Sequence, residues 1–288
     1  MVRRASQRRW RSAASRRLLQ MSGAGTVDTA VEKLAGALVP CNAPIPIEPE
    51  EFFDRYRIVD AVSDSTLPYA GKLEQTAGGF RIRYAANMRA TRRRFTLAHE
   101  LCHAVFAATG PGWPRAGLEL EDICEMFAAA LLMPRWAVDN EWNPGTRSFD
   151  TFTSCARTFD VSLTALALRL TQLGLAVVVH ESEGVWAPVA HTLRIPDLHL
   201  LMSHVNGSDR TFLCPDIFHA VSSVRCIVGP EWRAGRYALL LPVQAGSDQP
   251  PIAPQALEEG LAVVRRAIAR GLHQHEGVHG ESARPEGA

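Results

Sequence analysis

The sequence is poor in lysine, in long apolar runs and in net charge. Only Lys33 and Lys72 are lysines among 31 basic residues, and the formal net charge is +1. This balance excludes a strong overall attraction to nucleic acid or to a membrane surface. No apolar run approaches the roughly 20 residues that a membrane-spanning helix needs. We therefore expect no membrane partner.

Paired cysteines are also missing. The six cysteines are scattered, and none forms a Cys-x-x-Cys pair. This pattern is typical of reduced thiols, and no hydrophobic signal core begins the sequence, so we expect a cytoplasmic protein. Cys102 and Cys124 lie in the two motif segments described below. We interpret both as small buried core residues, with a redox switch beside a metal site as the alternative.

Apolar residues are abundant enough for a sizeable core. The chain has 288 residues, of which 47% are hydrophobic and 21% are charged. These fractions are ordinary for a globular protein. The length allows one core and one or two smaller modules.

The run Arg94–His103 contains the motif His-Glu-x-x-His, formed by His99, Glu100 and His103. On a helix, two histidines four residues apart lie on one face and can reach one metal ion. The acid beside the first histidine then faces the metal-bound water, as in zinc peptidases. The alternative is a surface helix with two histidines. An apolar stripe favours a packed helix, with Thr91 as its predicted N-cap, and consists of Ala98, Leu101, Cys102 and Val105.

The segment Leu118–Pro134 supplies candidates for a third metal ligand. It reads as a second helix that Pro134 ends, with an apolar stripe at Leu120, Ile123, Cys124, Phe127 and Leu131. Glu121 and Glu125 share one face, so one can bind the metal while the other holds a ligand histidine. The alternative is a solvated acidic face near a helix N-terminus. Composition alone leaves both alternatives open.

Together, the two segments resemble the ImmA/IrrE family of bacterial metallopeptidases. Arg94–His103 matches Arg-Phe-Thr-Leu-Ala-His-Glu-Leu-x-His, and Glu121–Pro134 matches an acid-x-x-small-x-x-Phe-Ala-Ala stretch that closes on Leu-Leu-Met-Pro. The occurrence of both motifs at this separation is far more specific than His-Glu-x-x-His alone. The resemblance covers roughly Pro44–Leu175.

The resemblance implies a zinc ion with three protein ligands, which are His99, His103 and Glu121. It implies that Glu100 is the general base. Two positions depart from the family pattern. Cys102 stands where glycine is common, and Glu125 stands where asparagine or aspartate is common, so Glu125 is the expected support for a ligand histidine.

The resemblance also implies a fold and a substrate. The expected fold is α+β, with a zincin-like core built from a small antiparallel sheet and the active-site helices. The implied activity is that of an intracellular endopeptidase that cleaves a helix-turn-helix transcriptional repressor, and so triggers a stress, DNA-damage or mobile-element response. Strand Phe80–Tyr84 is the predicted edge for an extended substrate. The alternative is a non-proteolytic regulator that uses the core as a scaffold to bind DNA, a ligand or a partner, although a scaffold has no need of Glu100.

Composition and local patterns divide the chain into six predicted segments. They are a basic disordered arm (1–25), the metallopeptidase core (26–147), a helical element resembling a helix-turn-helix (148–175), a β-rich module loosely similar to GAF domains (176–245), a linker with an amphipathic helix (246–273) and a disordered tail (274–288). Within the core we predict helices at Val27–Ala37 and Glu48–Tyr56, and a loop after Pro134.

The helical element raises the question of DNA binding. Its two helices meet at a turn formed by Asp160–Ser162. A helix that reads DNA should carry basic and amide side chains, and this one offers only Arg157, Arg169 and Gln172. We therefore favour a helix pair that packs on the core, with DNA binding as the alternative.

Overall fold

The computed structural model describes residues 10–110, 117–143, 147–182, 185–189, 202, 210–213, 223–232 and 235–242. The chain divides into two compact units between Leu173 and Gly174. Helices dominate the described part of the first unit, and strands dominate that of the second. The protein is therefore of the α+β class. The predicted linker, C-terminal helix and tail from residue 246 onward lie outside the described residues.

The first helix, α1 (Ala13–Ser22), lies within the predicted disordered arm (1–25), so the prediction of disorder is wrong over these residues. The Ser12 hydroxyl caps the helix by accepting a hydrogen bond from the Ser15 amide. Gly23 ends it in the left-handed conformation. The helix is stable because it buries Ala14 and Leu18, one turn apart, although it lies in an arginine-rich part of the sequence.

The next elements lead into the first sheet. Helix α2 (Val27–Gly36) forms as predicted and buries Val27, Ala30 and Val31. The helix predicted over Glu48–Tyr56 is two short 3₁₀ turns instead, Pro49–Phe52 and Asp54–Tyr56. Arg57 has a positive φ of 58°, which ends the second turn.

The first sheet is mixed, with strands β1 (Ile58–Asp64), β2 (Gly71–Thr76) and β3 (Gly79–Ala85) in the order β1-β3-β2. Strands β2 and β3 form an antiparallel hairpin, but β1 is parallel to β3. The expectation of an antiparallel sheet is therefore wrong for one of its two pairings. The predicted substrate edge is also wrong, because β3 is the central strand and both its edges are paired.

The two motif segments form the long helices α3 (Ala90–Ala107) and α4 (Leu118–Leu132). Arg89, and not Thr91, is the N-cap, since it is the last residue with extended backbone. The predicted stripes are buried on both helices, and the buried Ile82 of β3 belongs to the same core. Cys102 and Cys124 are fully buried, as predicted for core residues.

Three shorter helices follow the second motif. They are α5 (Arg135–Glu141), α6 (Phe149–Thr158) and α7 (Leu163–Leu173). Helix α5 occupies residues that we predicted as a loop, and Pro134 begins it. It is held by burial of Ala137 and Val138, with Trp142 buried directly after it. The α6 and α7 pair was predicted, including the turn, where Asp160 has a positive φ of 48°.

Two buried arginines attach α6 and α7 to the rest of the first unit. Arg94 of α3 donates hydrogen bonds to the carbonyl oxygens of Phe159 and Asp160, at 3.1 and 2.8 Å. Arg169 of α7 is 1% exposed and donates to the Met133 carbonyl oxygen at 2.9 Å. It also forms a two-pronged ion pair with Glu32 of α2. The helix pair therefore packs on the core through buried charged groups that have polar partners.

The described part of the second unit is a five-stranded antiparallel sheet. Its strands are β4 (Val177–Ser182), β5 (Val185–Pro188), β6 (Arg210–Leu213), β7 (Ser223–Trp232) and β8 (Gly235–Pro242). Their order is β5-β4-β8-β7-β6. The β-rich character of this segment was predicted, and its similarity to GAF domains stays a prediction. No helix in the described residues has the length and apolar character needed to cross a bilayer.

Candidate metal centre

Helix α3 places the two motif histidines side by side. The Nε2 atoms of His99 and His103 are 3.3 Å apart, and their ring centroids are 5.1 Å apart. This follows from the four-residue spacing, which stacks the side chains on successive turns of one face. Both nitrogens therefore point at one common place.

Helix α4 brings Glu121 to the same place. Its Oε2 atom lies 3.1 Å from His99 Nε2, and its Oε1 atom lies 3.6 Å from His103 Nε2. The Glu121 side chain is 49% exposed, so this side of the cluster is open to solvent. The three residues that the resemblance implies as ligands therefore meet, although they come from two helices.

The spacing of these atoms fits a metal ion. Donor atoms bound to a tetrahedral zinc at about 2.0–2.1 Å are about 3.3 Å from one another. The three observed distances are 3.3, 3.1 and 3.6 Å. Two imidazoles and one carboxylate are a donor set that suits zinc and leaves a fourth position open. The residues present therefore fit the metal that the resemblance implies.

Burial keeps the two imidazoles neutral. Desolvation and the neighbouring His103 lower the pKa of His99 to about 4, and Glu121 only partly opposes this shift. Burial also lowers the pKa of His103. Only a neutral imidazole has a free nitrogen lone pair for a metal. The site therefore holds its histidines in the state that binds a cation.

Glu100 follows His99 in α3, and its side chain lies against strand β2 at Gly71. It is 5% exposed. Burial, with a contribution from the charge of Glu121, raises the pKa of Glu100 to about 8, although a hydrogen bond from the Leu73 amide opposes the shift. A carboxyl group with a pKa near neutrality can both accept and return a proton.

Strand β2 approaches Glu100 at a glycine. A Cβ atom at Gly71 would lie 2.4 Å from Thr96 Cγ2 and 3.0 Å from Glu100 Oε1. Only glycine therefore allows β2 to pack this closely on α3. The sequence indicated no such role for Gly71, because the contact joins elements that are distant in the chain.

Glu125, the expected support for a ligand histidine, is exposed. Partial desolvation and Asp122 raise its pKa, and Arg92 opposes the shift. In the described part of the chain it forms no hydrogen bond with His99 or His103. No contact therefore supports the predicted role of Glu125 in holding a ligand histidine.

Cys124 lies near the two histidines, although the sequence favoured only a small buried core residue. Its Sγ atom and the ring nitrogens of His99 and His103 all lie within 4.8 Å of one another. It follows Glu121 by three residues and so lies on the same side of α4. That spacing was the available signal, but burial of a small residue accounted for it equally well.

Helix α1 holds both ends of the connection between the motif helices. The backbone amides of Arg11 and Ser12 donate to the Glu119 carboxylate at 3.0 Å. Desolvation works to raise the pKa of Glu119, but hydrogen bonds from these residues lower it to about 2. At the other end, the Arg17 guanidinium donates to the Thr109 carbonyl oxygen, just after α3. Glu119 precedes the candidate ligand Glu121 by two residues, so α1 contributes to the position of α4.

Comparison with known proteins agrees with the motif geometry. Residues 61–171 match the Peptidase M78 family model, described as the IrrE N-terminal-like domain. This segment is therefore a domain of the ImmA/IrrE type. The match includes all of α3 and α4, and thus the whole cluster.

The other comparisons are distant. A solved structure titled "Mycobacterium tuberculosis transcriptional regulator" is similar at 16% identity, and the alignment covers 79% of each chain with a TM-score of 0.44. A likeness at this level supports no statement about function. None of the curated proteins matches the chain.

Proposed function

We propose that this protein is a zinc-dependent endopeptidase with a zincin-like core. The observation that carries the proposal is the convergence of His99, His103 and Glu121, with separations of 3.1–3.6 Å between their donor atoms. Glu100, buried beside them with a pKa raised to about 8, supplies the proton-transfer group. A metal site without catalysis would need the ligands but not a buried acid at this point.

Zinc bound by these residues would act as a Lewis acid that lowers the pKa of a bound water and polarises a peptide carbonyl. The protein's own groups do the rest. Glu100 accepts a proton from the attacking water and returns it to the leaving nitrogen. The Leu73 amide holds the Glu100 carboxylate in place. Burial keeps both histidines neutral, so they stay available as ligands.

The outer edge of β2 is the proposed place for an extended substrate. Strand β2 is an edge strand of its sheet, and Gly71 and Leu73 bring it against Glu100. A peptide added to this edge would lie next to the metal ligands and would be held by backbone hydrogen bonds. The edge of β2 replaces β3 as the proposed substrate-binding edge, because β3 is the central strand.

The proposed substrate is a helix-turn-helix transcriptional repressor in the cytoplasm, whose cleavage triggers a stress, DNA-damage or mobile-element response. This part of the proposal rests on the family resemblance alone. The six predicted segments are retained as proposed domains, with the N-terminal arm now replaced by α1 over Ala13–Ser22.

The second candidate is a non-proteolytic regulator that binds DNA, a ligand or a partner on a zincin scaffold. One observation weakens the DNA version. Of the three side chains that α6 and α7 offer to DNA, Arg169 is buried and paired with Glu32. Arg157 and Gln172 remain, which is few for a helix that reads DNA. A supporting role for the pair fits better.

Zinc content tests the proposal. We expect about one zinc per chain in the dialysed wild type, measured by elemental analysis, and a large loss in Glu121→Ala. Glu125→Ala is the matched control, because it removes an exposed carboxylate from the same helix and should keep its zinc. A well-folded wild type that takes up no zinc when it is offered would refute the proposal.

Glu100→Gln separates metal binding from catalysis. We expect this variant to bind zinc as the wild type does, since the ligand set is intact, and to lose turnover by at least 10²-fold, the scale of general acid–base catalysis. It would also serve as a trap for the substrate in cell extracts. Normal cleavage by the variant would contradict the assigned role of Glu100.

A further inference from the structure

Cys124 lies on the buried side of the histidine pair. It is fully buried, whereas the Glu121 side chain is 49% exposed. Its Sγ atom and the ring nitrogens of His99 and His103 lie within 4.8 Å of one another. We propose that Cys124 is an additional protein ligand, which binds the metal as a thiolate and closes the position otherwise taken by water. This rests on the metal centre of the proposed function.

Cys124 needs only a small movement of its sulfur atom to reach the proposed metal position. On a tetrahedral zinc, with Zn–S near 2.3 Å and Zn–N near 2.0–2.1 Å, sulfur and nitrogen lie about 3.5 Å apart. The thiol therefore needs to approach by about 1.3 Å at most, which a rotation about χ1 can supply. Helix α4 already holds Cys124 and Glu121 three residues apart on one side.

The exchange at the metal is balanced without oxidation. The Cys124 S–H bond breaks, its proton passes to solvent, the sulfur–metal bond forms and the bound water leaves. A metal deprotonates a coordinating thiol. Burial and the neighbouring Cys102 raise the pKa of the Cys124 thiol, so the thiolate forms only where the metal displaces the proton.

The consequence is a site with two states. With His99, His103 and Glu121 as ligands, the fourth position is open to water, and hydrolysis can occur. With Cys124 added, four protein ligands close the site, which is the arrangement of structural zinc centres. Binding of the thiolate and hydrolysis therefore exclude each other. The closed state is a resting form, and it opens when the thiolate leaves the metal and water takes its place.

Cobalt(II) spectroscopy of the full-length protein tests the proposal. Co²⁺ in a protein site gives visible d–d bands, and a thiolate ligand adds a sulfur-to-cobalt charge-transfer band in the near ultraviolet. We expect both in the wild type with one equivalent of Co²⁺. Cys124→Ser should lose the charge-transfer band, keep d–d bands and bind Co²⁺ at least tenfold more weakly, since loss of even a supporting partner has effects of that size.

Cys102→Ser is the matched control, because it removes a neighbouring buried thiol outside the ligand cluster, and it should keep the charge-transfer band. Cys124→Ala serves if the serine variant does not fold, as judged by circular dichroism. Visible bands without charge transfer in the wild type would overturn the proposal and leave the metal centre standing. A band that persists without Cys124 would also overturn it. Absence of every cobalt band in the folded wild type would refute the metal centre itself.

Discussion

The close approach of β2 to α3 at Gly71 gives a sharp prediction. In Gly71→Ala, the new methyl carbon would be placed 2.4 Å from Thr96 Cγ2 and 3.0 Å from Glu100 Oε1. The first distance is well below van der Waals contact, so the strand and the helix must separate. Thr96 is buried in the α3 interface, which leaves its side chain little room to rotate away.

The magnitude follows from the cost of overpacking. An added methylene in a tightly packed place typically costs about 1–3 kcal/mol. We expect the free energy of unfolding of Gly71→Ala to fall by that amount. The shift also displaces the Glu100 carboxylate, and a misplacement of about 1 Å can reduce turnover about 10²-fold. Zinc affinity should change by less than about tenfold, because all three metal ligands lie outside the clash.

Chemical denaturation of the zinc-free and zinc-bound forms is the assay. Gly78→Ala is the matched control, because it lies in the turn between β2 and β3 and its nearest contact would be Val59 Cγ1 at an ordinary 3.6 Å. The control should stay within about 0.5 kcal/mol of the wild type. Equal stabilities of the two variants would refute the argument that β2 is held against α3 by the absence of a side chain at Gly71.

Two further predictions concern groups outside the metal cluster. Glu119→Gln should lower stability at neutral pH by about 1 kcal/mol, the scale of a helix N-cap, because it weakens the acceptor of the Arg11 and Ser12 amides. The folded pKa of Glu119 is about 2 against a usual 4.5, so its contribution is complete above pH 4.5 and is lost as pH falls toward 2. Stability curves of wild type and variant should therefore converge in that interval; a constant difference would contradict the assignment. Glu32→Gln should cost about 1–3 kcal/mol, since Arg169 stays buried without its charged partner. Thermal unfolding measures this, and an unchanged melting temperature would show that the pair contributes nothing.

The metal cluster was predictable in the parts that depend on local geometry. His99 and His103 meet because they lie four apart on one helix, and a helix could be read from its apolar stripe. The choice of Glu121 over Glu125 depended on how α4 crosses α3. The family resemblance implied Glu121, and the distances between donor atoms agree with it. The approach of Cys124 to the histidine pair depends on the same crossing and was not predicted.

The errors in the fold have a common physical source. Helix α1 was not predicted because the segment 1–25 is rich in arginine and the apolar face of the helix is small, with Ala14 and Leu18 buried. Strand β1 was missed because it has mixed polarity: its Asp60 is paired with Arg81 of β3, at 2.6 Å. The parallel pairing of β1 and β3 depends on contacts between distant residues, which no local pattern encodes. Each of these elements is stabilised by its partners more than by its own sequence.

The attachment of α1 also has a consequence for the order of folding. Arg11 and Glu119 are 108 residues apart in the sequence. Because a chain is synthesised from its N-terminus, α1 leaves the ribosome long before the carboxylate that holds its first turn. Contacts over such a separation form late, since a long loop must close first. Docking of α1 during synthesis would therefore indicate that both helices of the candidate metal centre, α3 and α4, are already in place.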